Sequence, residues 1–175
     1  MSERPRRRRR PAARPACQRA FRRAARDAGD QPSGRSLPAD VTRRAALDAL
    51  AILRDESPDT YRLVSDRLAA SPAELTVEGE RIGVRSAQGI VHLQGVAPAA
   101  PLLVACIDRA GVIQLIDGTI TLEQLLERQR LHVRGHPDAL LGFLSAARAF
   151  ADACTRSAAL QRSFERYRES IGALG

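Results

Sequence analysis

The chain has no lysine, no tryptophan, two Tyr and four Phe among its 175 residues. A core without aromatic bulk must be built from Leu, Ile, Val and Ala. Every one of the 28 basic residues is Arg. Together with the abundant Ala, this is a mark of GC-rich coding, so arginine richness alone identifies no ligand. The three cysteines, Cys17, Cys106 and Cys154, are far apart and form no CxxC. A disulfide framework and a zinc knuckle are therefore not indicated. Cys106 lies in an apolar run and reads as a small core residue. Long hydrophobic runs are missing too. The longest, residues 96–107, contains Pro98 and Pro101 and is too short to span a bilayer. No apolar stretch follows the N-terminal arginines, so neither a secretory nor a twin-arginine signal is read there. The expectation is a soluble protein of a reducing, cytoplasmic compartment. G-x-S-x-G, the P-loop and GxGxxG are also absent.

What is present divides by charge. Residues 1–37 carry twelve Arg against Glu3, Asp27 and Asp30, a balance of +9. Residues 38–175 carry sixteen Arg against seventeen acids, a balance of −1. The formal +8 thus belongs to the tail, and any argument for a polyanionic partner applies there. Residues 1–38 have Phe21 and Leu37 as their only aromatic or branched aliphatic side chains. Such a segment cannot offset its ordering entropy, and it is expected to be disordered, with a nascent helix over 17–28. Its run Arg6, Arg7, Arg8, Arg9 and Arg10 is the candidate contact with an anionic membrane surface or with nucleic acid. With Phe21 as the one aromatic, the tail offers no stacking platform for single strands.

Periodicity organises the remainder into an α+β domain over 39–155 and an amphipathic helix over 156–175. Asp40 is read as the cap of a helix reaching Arg54, with Ala46, Ala49, Leu50 and Leu53 on one face. Ser57-Pro58 starts a second helix with Tyr61, Val64 and Leu68 inward. Alternation over 75–77, 81–85 and 90–93, with Gln88-Gly89 as a turn, predicts a three-stranded antiparallel meander. Pro98 and Pro101 mark a crossover into a continuous apolar strand at 102–107. Asp108 caps a short helix that Gly118 ends, and Thr121 with Gln124 forms a capping box for another. Residues 130–134 alternate as a fifth strand. Pro137 then opens a helix carrying Leu140, Phe143, Leu144, Ala147 and Phe150. Leu160, Phe164, Tyr167 and Ile171 stripe the last helix, which is expected to pack on the body, a partner-binding face being the alternative.

The element order brings a resemblance into view. Residues 61–150 resemble the sterol carrier protein 2-like lipid-binding domain. The match is strongest over LIDGTITLEQLLERQRLHVRGHPDALLGFL, residues 115–144. Leu131, Val133 and Gly135 match the family's L-x-V-x-G strand, and Gly118 matches its inter-helix glycine. Two positions depart: Gln129 stands where the family often has Gly, and His136 where it often has Asp or Asn. The first replaces a backbone that easily takes positive φ, so a different turn is expected. The resemblance implies a mixed five-stranded sheet, made of the meander, the crossover and two further strands, covered by helices around an apolar cavity. It also implies binding of lipids, acyl chains or sterol-like and isoprenoid metabolites without a catalytic constellation. Some members act as accessory subunits or lipid-presenting partners of enzymes.

Carried onto this chain, the apolar wall comprises Val104, Val112, Leu115, Ile116, Leu125, Leu131, Val133, Leu140, Phe143, Leu144, Ala147 and Phe150. The competing reading of the same residues is an ordinary packed core, since helical spacing reports burial and not a hollow. An acyl chain of about sixteen methylenes gains roughly 13 kcal/mol on burial. Association costs of about 4–15 kcal/mol offset much of that, which suits micromolar binding without a polar anchor. No cofactor and no metal are expected: His132 and His136 have metal-like spacing but sit on a strand and in a turn, with His132 pointing outward. Asp117, Glu123 and Glu127 have helix-end roles that suffice without acid–base chemistry. The alternative functions are a nucleic-acid-associated adaptor using the tail, and an accessory subunit of a lipid- or polyketide-modifying enzyme.

Overall fold

The chain divides into two units, Met1–Arg35 and Ser36–Gly175. The computed structural model describes residues 40–69 and 71–172, all within the second. The expectations for the tail, its nascent helix and Arg6 to Arg10 lie outside the described residues.

Two helices come first, α1 (Val41–Glu56) and α2 (Pro58–Ala69). Pro58 begins the second because its fixed φ suits a first helical position. The inward stripes are those the 3.6-residue period predicts: Ala49, Leu50 and Leu53 on α1, and Tyr61, Val64 and Leu68 on α2, are buried. The cap of α1 differs from expectation. Asp40 sits at φ 102° with no side-chain cap bond, and its carboxylate is engaged by Arg43 at 2.8 Å. The free N–H groups of Thr42 and Arg43 are instead taken by the Glu80 carboxylate, at 3.0 and 2.8 Å. A distant acid thus satisfies donors and opposes the positive helix end.

The meander follows as β1 (Ala73–Val77), β2 (Glu80–Ala87) and β3 (Ile90–Gln94). Its second turn places Gln88 and Gly89 at φ 53° and 73°, the paired left-handed conformations that match strand twist in a tight hairpin. After the proline loop, β4 (Leu103–Ile107) pairs parallel with β1, and β5 (Leu131–Gly135) adds antiparallel to β4. The sheet is mixed and five-stranded, as the resemblance implies, and its order is β3-β2-β1-β4-β5. Between β4 and β5 lie two short helices, α3 (Arg109–Ile116) and α4 (Leu122–Glu127). The Thr121–Gln124 capping box is formed in both directions, and Asp108 accepts from Gly111 N–H as the α3 cap. Two long helices close the fold, α5 (Pro137–Arg156) and α6 (Ala158–Gly172).

Among the described residues, the helices cover one face of the sheet. Residues opposed across strands point the same way, so Val84, Ala73, Leu103 and Gly135 share that face, as do Ile82, Leu75, Ala105 and Val133. Helix α2 crosses α5 so closely that a Cβ on Gly142 would stand 2.7 Å from the Arg67 carbonyl oxygen. Helix α6 packs on α1 and α5. Phe164 makes edge-to-face contacts with Phe150 and Tyr167 at 6.3 and 6.5 Å. The Tyr167 hydroxyl hydrogen-bonds the Thr42 hydroxyl at 3.1 Å. The last stripe therefore packs on the body, as expected.

Candidate functional site

The buried apolar residues form two clusters. The larger one gathers α1, α2, α5 and α6 over the β2–β1 side of the sheet. The smaller one is Val77, Ile107, Ile120, Leu122, Leu125 and Leu131, under α4. Leu75, Val112 and Val133 pack against both and mark the seam between them. All three are half-buried, so solvent reaches the seam where it would not reach the middle of a single core.

Helix α5 forms one bank. Ala139, Ala146, Ala153 and Cys154 are its buried centre line. Leu140, Leu144 and Ala147 follow one another at spacings of four and three on one flank of that line, and each is half-buried. Ala147 packs on the smaller cluster, while Leu140 and Phe143 pack on the larger. Leu144 stands between them and packs against neither set of buried residues. Leu115 of α3 faces the smaller cluster from the opposite bank. An exposed ion pair, Arg148 to Glu123 at 3.7 Å, ties α5 to α4 beside this row.

The sequence-predicted wall divides accordingly. Val112, Leu115, Val133, Leu140, Phe143, Leu144, Ala147 and Phe150 are half-buried. Phe150 is directed along α5 toward Phe164, away from the smaller cluster. Ile116, Leu125 and Leu131 lie deeper, at 6%, 0% and 4% exposure, inside the clusters. Val104 is a correction. It opposes Glu74 and Arg134 across the sheet, on the face away from the helices, and cannot line the seam. Its neighbours Leu103, Ala105 and Ile107 take the inner face. A continuous apolar run does not reveal which of its alternating residues face inward, and that concealed the assignment.

Polar chemistry lies at the margins. Asp108 receives Arg130 through two nitrogens, at 2.6 and 3.0 Å, and a third nitrogen of Arg130 reaches Gln114 at 2.6 Å. The Arg130 hydrogen bond, and with it the bond from Gly111, holds the Asp108 carboxyl below its usual range. This bracket fixes α3 to the start of β5. Asp117 pairs with Arg168 of α6, a partner that helix-end reasoning missed. Arg109 was missed altogether. It is buried one turn before Val112, paired with Glu78 at 3.4 Å, and its Nε has no hydrogen-bond partner. Burial pushes the Cys154 thiol up to about 12, which keeps it protonated and unreactive at neutral pH. His132 and His136 are both exposed. Among the described residues no three His, Cys, Asp or Glu are placed to hold a metal ion, and no helix is long and apolar enough to cross a membrane.

Gln129 holds φ 55°. The turn before β5 therefore keeps the left-handed backbone that the absence of glycine there spoke against.

No family model matches the chain, and no curated protein matches it. The chain is similar to several solved sterol carrier protein 2 domains. One is "UbiJ-SCP2 Ubiquinone synthesis protein", at 17% identity and TM-score 0.49, covering 67% of this chain and 96% of that one. A second is sterol carrier protein domain 2 of Helicoverpa armigera, at 14% identity and TM-score 0.49, covering 70% and 96%. A third is a crystal structure of sterol carrier protein 2, at 19% identity and TM-score 0.46, covering 66% and 96%.

Proposed function

We propose that the protein is a non-catalytic carrier or accessory protein that holds a hydrophobic chain, acyl or isoprenoid, along the seam between its two apolar clusters. The observation that carries this reading is the row of half-buried aliphatic residues, Val112, Leu115, Val133, Leu140, Leu144 and Ala147, standing where the clusters meet. Aliphatic side chains left half in water gain when a ligand completes their burial, at about 25 cal/mol per Å² of apolar surface. The row offers no charged group, so affinity scales with chain length, and selectivity between chains differing by one methylene is only about 1–3 kcal/mol.

Leu144 tests the reading. It is half-buried between the two clusters, and Leu144→Asp places a carboxylate in the ligand's path; circular dichroism checks that the variant is folded. Titration of a pyrene-labelled fatty acid should show micromolar binding to the wild type and a loss of more than tenfold for the variant. Equal binding by a folded Leu144→Asp protein would remove the seam as the site. The absence of any binding by the wild type would remove the proposal.

A further inference from the structure

Arg109, at the first position of α3, has a side chain only 10% exposed. Its Nη1 stands 3.4 Å from one oxygen of the Glu78 carboxylate. Its backbone N–H donates to the other oxygen, also at 3.4 Å. The Nε–H has no acceptor, and among the described residues Nε is the one buried side-chain nitrogen or oxygen without a partner. A guanidinium N–H withdrawn from water and left unmet is costly, which is why interiors ordinarily supply an acceptor. A ligand oxygen brought to Nε would recover that cost, so the group is built to hold something as much as to hold the fold.

The guanidinium lies at one end of the seam. Glu78 N–H bonds the Ile107 carbonyl, which sets the Glu78–Arg109 pair just past the ends of β1 and β4. Val112, where the two clusters meet, follows Arg109 by three positions on the same face of α3, roughly 4.5 Å along its axis. Leu75, which also packs against both clusters, precedes Glu78 by three positions on β1, roughly 10 Å back along the strand. Tyr167 of α6 stands on the remaining side. Burial pushes its hydroxyl up, against the opposing pull of Thr42 and Arg109 beside it, so it is neutral at pH 7.

Charge decides which acceptor fits. Glu78 already offsets Arg109. Glu80, whose charge is also felt at Tyr167, has its carboxylate on the N–H groups of Thr42 and Arg43. The Arg43 guanidinium is committed to Asp40. A carboxylate or phosphate entering here would meet two acids with one arginine to share. A neutral carbonyl oxygen accepts the N–H and adds no charge. We propose that Arg109 is the polar anchor of the seam, its Nε–H donating to a neutral carbonyl oxygen at the head of the bound chain, as in an ester or a ketone. This rests on the seam being the ligand site and adds to it the class of headgroup.

The experiment displaces the pyrene-labelled fatty acid from the full chain with 2-tridecanone, tridecane or tridecanoate, which share a chain length and differ at the head. The ketone should displace it about tenfold more effectively than the alkane, and more effectively than the ionised acid at about pH 8. Arg109→Met keeps an apolar stem without the N–H, and it should erase the ketone's advantage while tridecane affinity changes less than about twofold. Glu78 is 46% exposed, so the loss of its partner buries no lone charge. In the wild type, the Arg109 Nε–H resonance, identified by its loss in Arg109→Lys, should move downfield with the ketone and stay in place with the alkane. If the variants do not fold, the ligand series on the wild type decides alone. Equal displacement by ketone and alkane overturns the anchor and leaves the seam standing. Tighter binding of tridecanoate overturns it in favour of an anionic head. An Nε–H signal unmoved by the ketone overturns it in favour of a bound water. No binding by the labelled probe or by any of the three removes the seam, and the anchor with it.

Discussion

Gln129 shows how a single backbone angle can outlast the residue type suited to it. Its φ of 55° is a conformation in which a side chain crowds the carbonyl, at a cost of roughly 1–2 kcal/mol for an L-residue. The bracket of Arg130 on Asp108 and Gln114 lies one residue further on and holds the turn in place. Gln129→Gly should therefore raise the unfolding free energy by about 0.5–1 kcal/mol, the relief of strain exceeding the added freedom of the unfolded chain. Urea denaturation measures it, and a decrease would mean that the Gln side chain has a contact worth more than the strain. The sequence pointed at this position but to the opposite outcome, because glycine preference is local while the tertiary bracket is not. Buried Arg109 was equally illegible: nothing in its neighbours predicts that an arginine at a helix start will be covered.

At the scale of elements, local signals were dependable and remote ones were silent. The Asp108 cap, the Thr121–Gln124 box and Pro58 and Pro137 at helix starts all work within four residues, and all are present as read. The cap of α1 comes from Glu80, 38 residues from Thr42, and no local pattern announces it. Asp108 joins both kinds, since its cap is local and its ion pair is not. Its carboxyl is held below the usual range chiefly by Arg130. The folded state thus binds fewer protons than the unfolded one. The stability it supplies is present above about pH 4 and is lost as pH falls through the lowered folded value. Asp108→Ala should cost about 1–2 kcal/mol at pH 7 through the lost cap. It should also flatten the fall in melting temperature as pH drops below about 4. An unchanged acid profile would show that Arg130 does not act through this carboxylate.

For the molecule as a whole, the separate strands and helices could be read in advance because period-two and period-3.6 patterns alternate cleanly along the chain, while their assembly into a mixed sheet under a helical cover was what the family resemblance implied. The division of the interior into two clusters could not. It depends on where α4 and α5 sit over the sheet, which periodicity does not encode, whereas Val104 was misplaced because an unbroken apolar run hides which of its residues face inward. The close crossing of α2 and α5 is a further such property. Gly142→Ala gains up to about 1 kcal/mol of helix propensity, but its methyl would stand 2.7 Å from the Arg67 carbonyl. Separating two packed helices costs about 1–3 kcal/mol, so the clash wins and the melting temperature should fall. A rise would mean that the crossing is looser than its backbone geometry states.

The hydroxyl contact between Thr42 and Tyr167 spans 125 positions of sequence, and Ser157 reaches back to Glu56 across 101. The first and the last described helices thus finish one another's interior. During synthesis the meander can pair as soon as it emerges, because its partners are neighbours, but α1 must wait for nearly the whole polypeptide to leave the ribosome. Until then Ala49, Leu50 and Leu53 lack the part of their cover that α6 supplies. Nascent chains stalled before α6 should therefore be the species that chaperones hold longest.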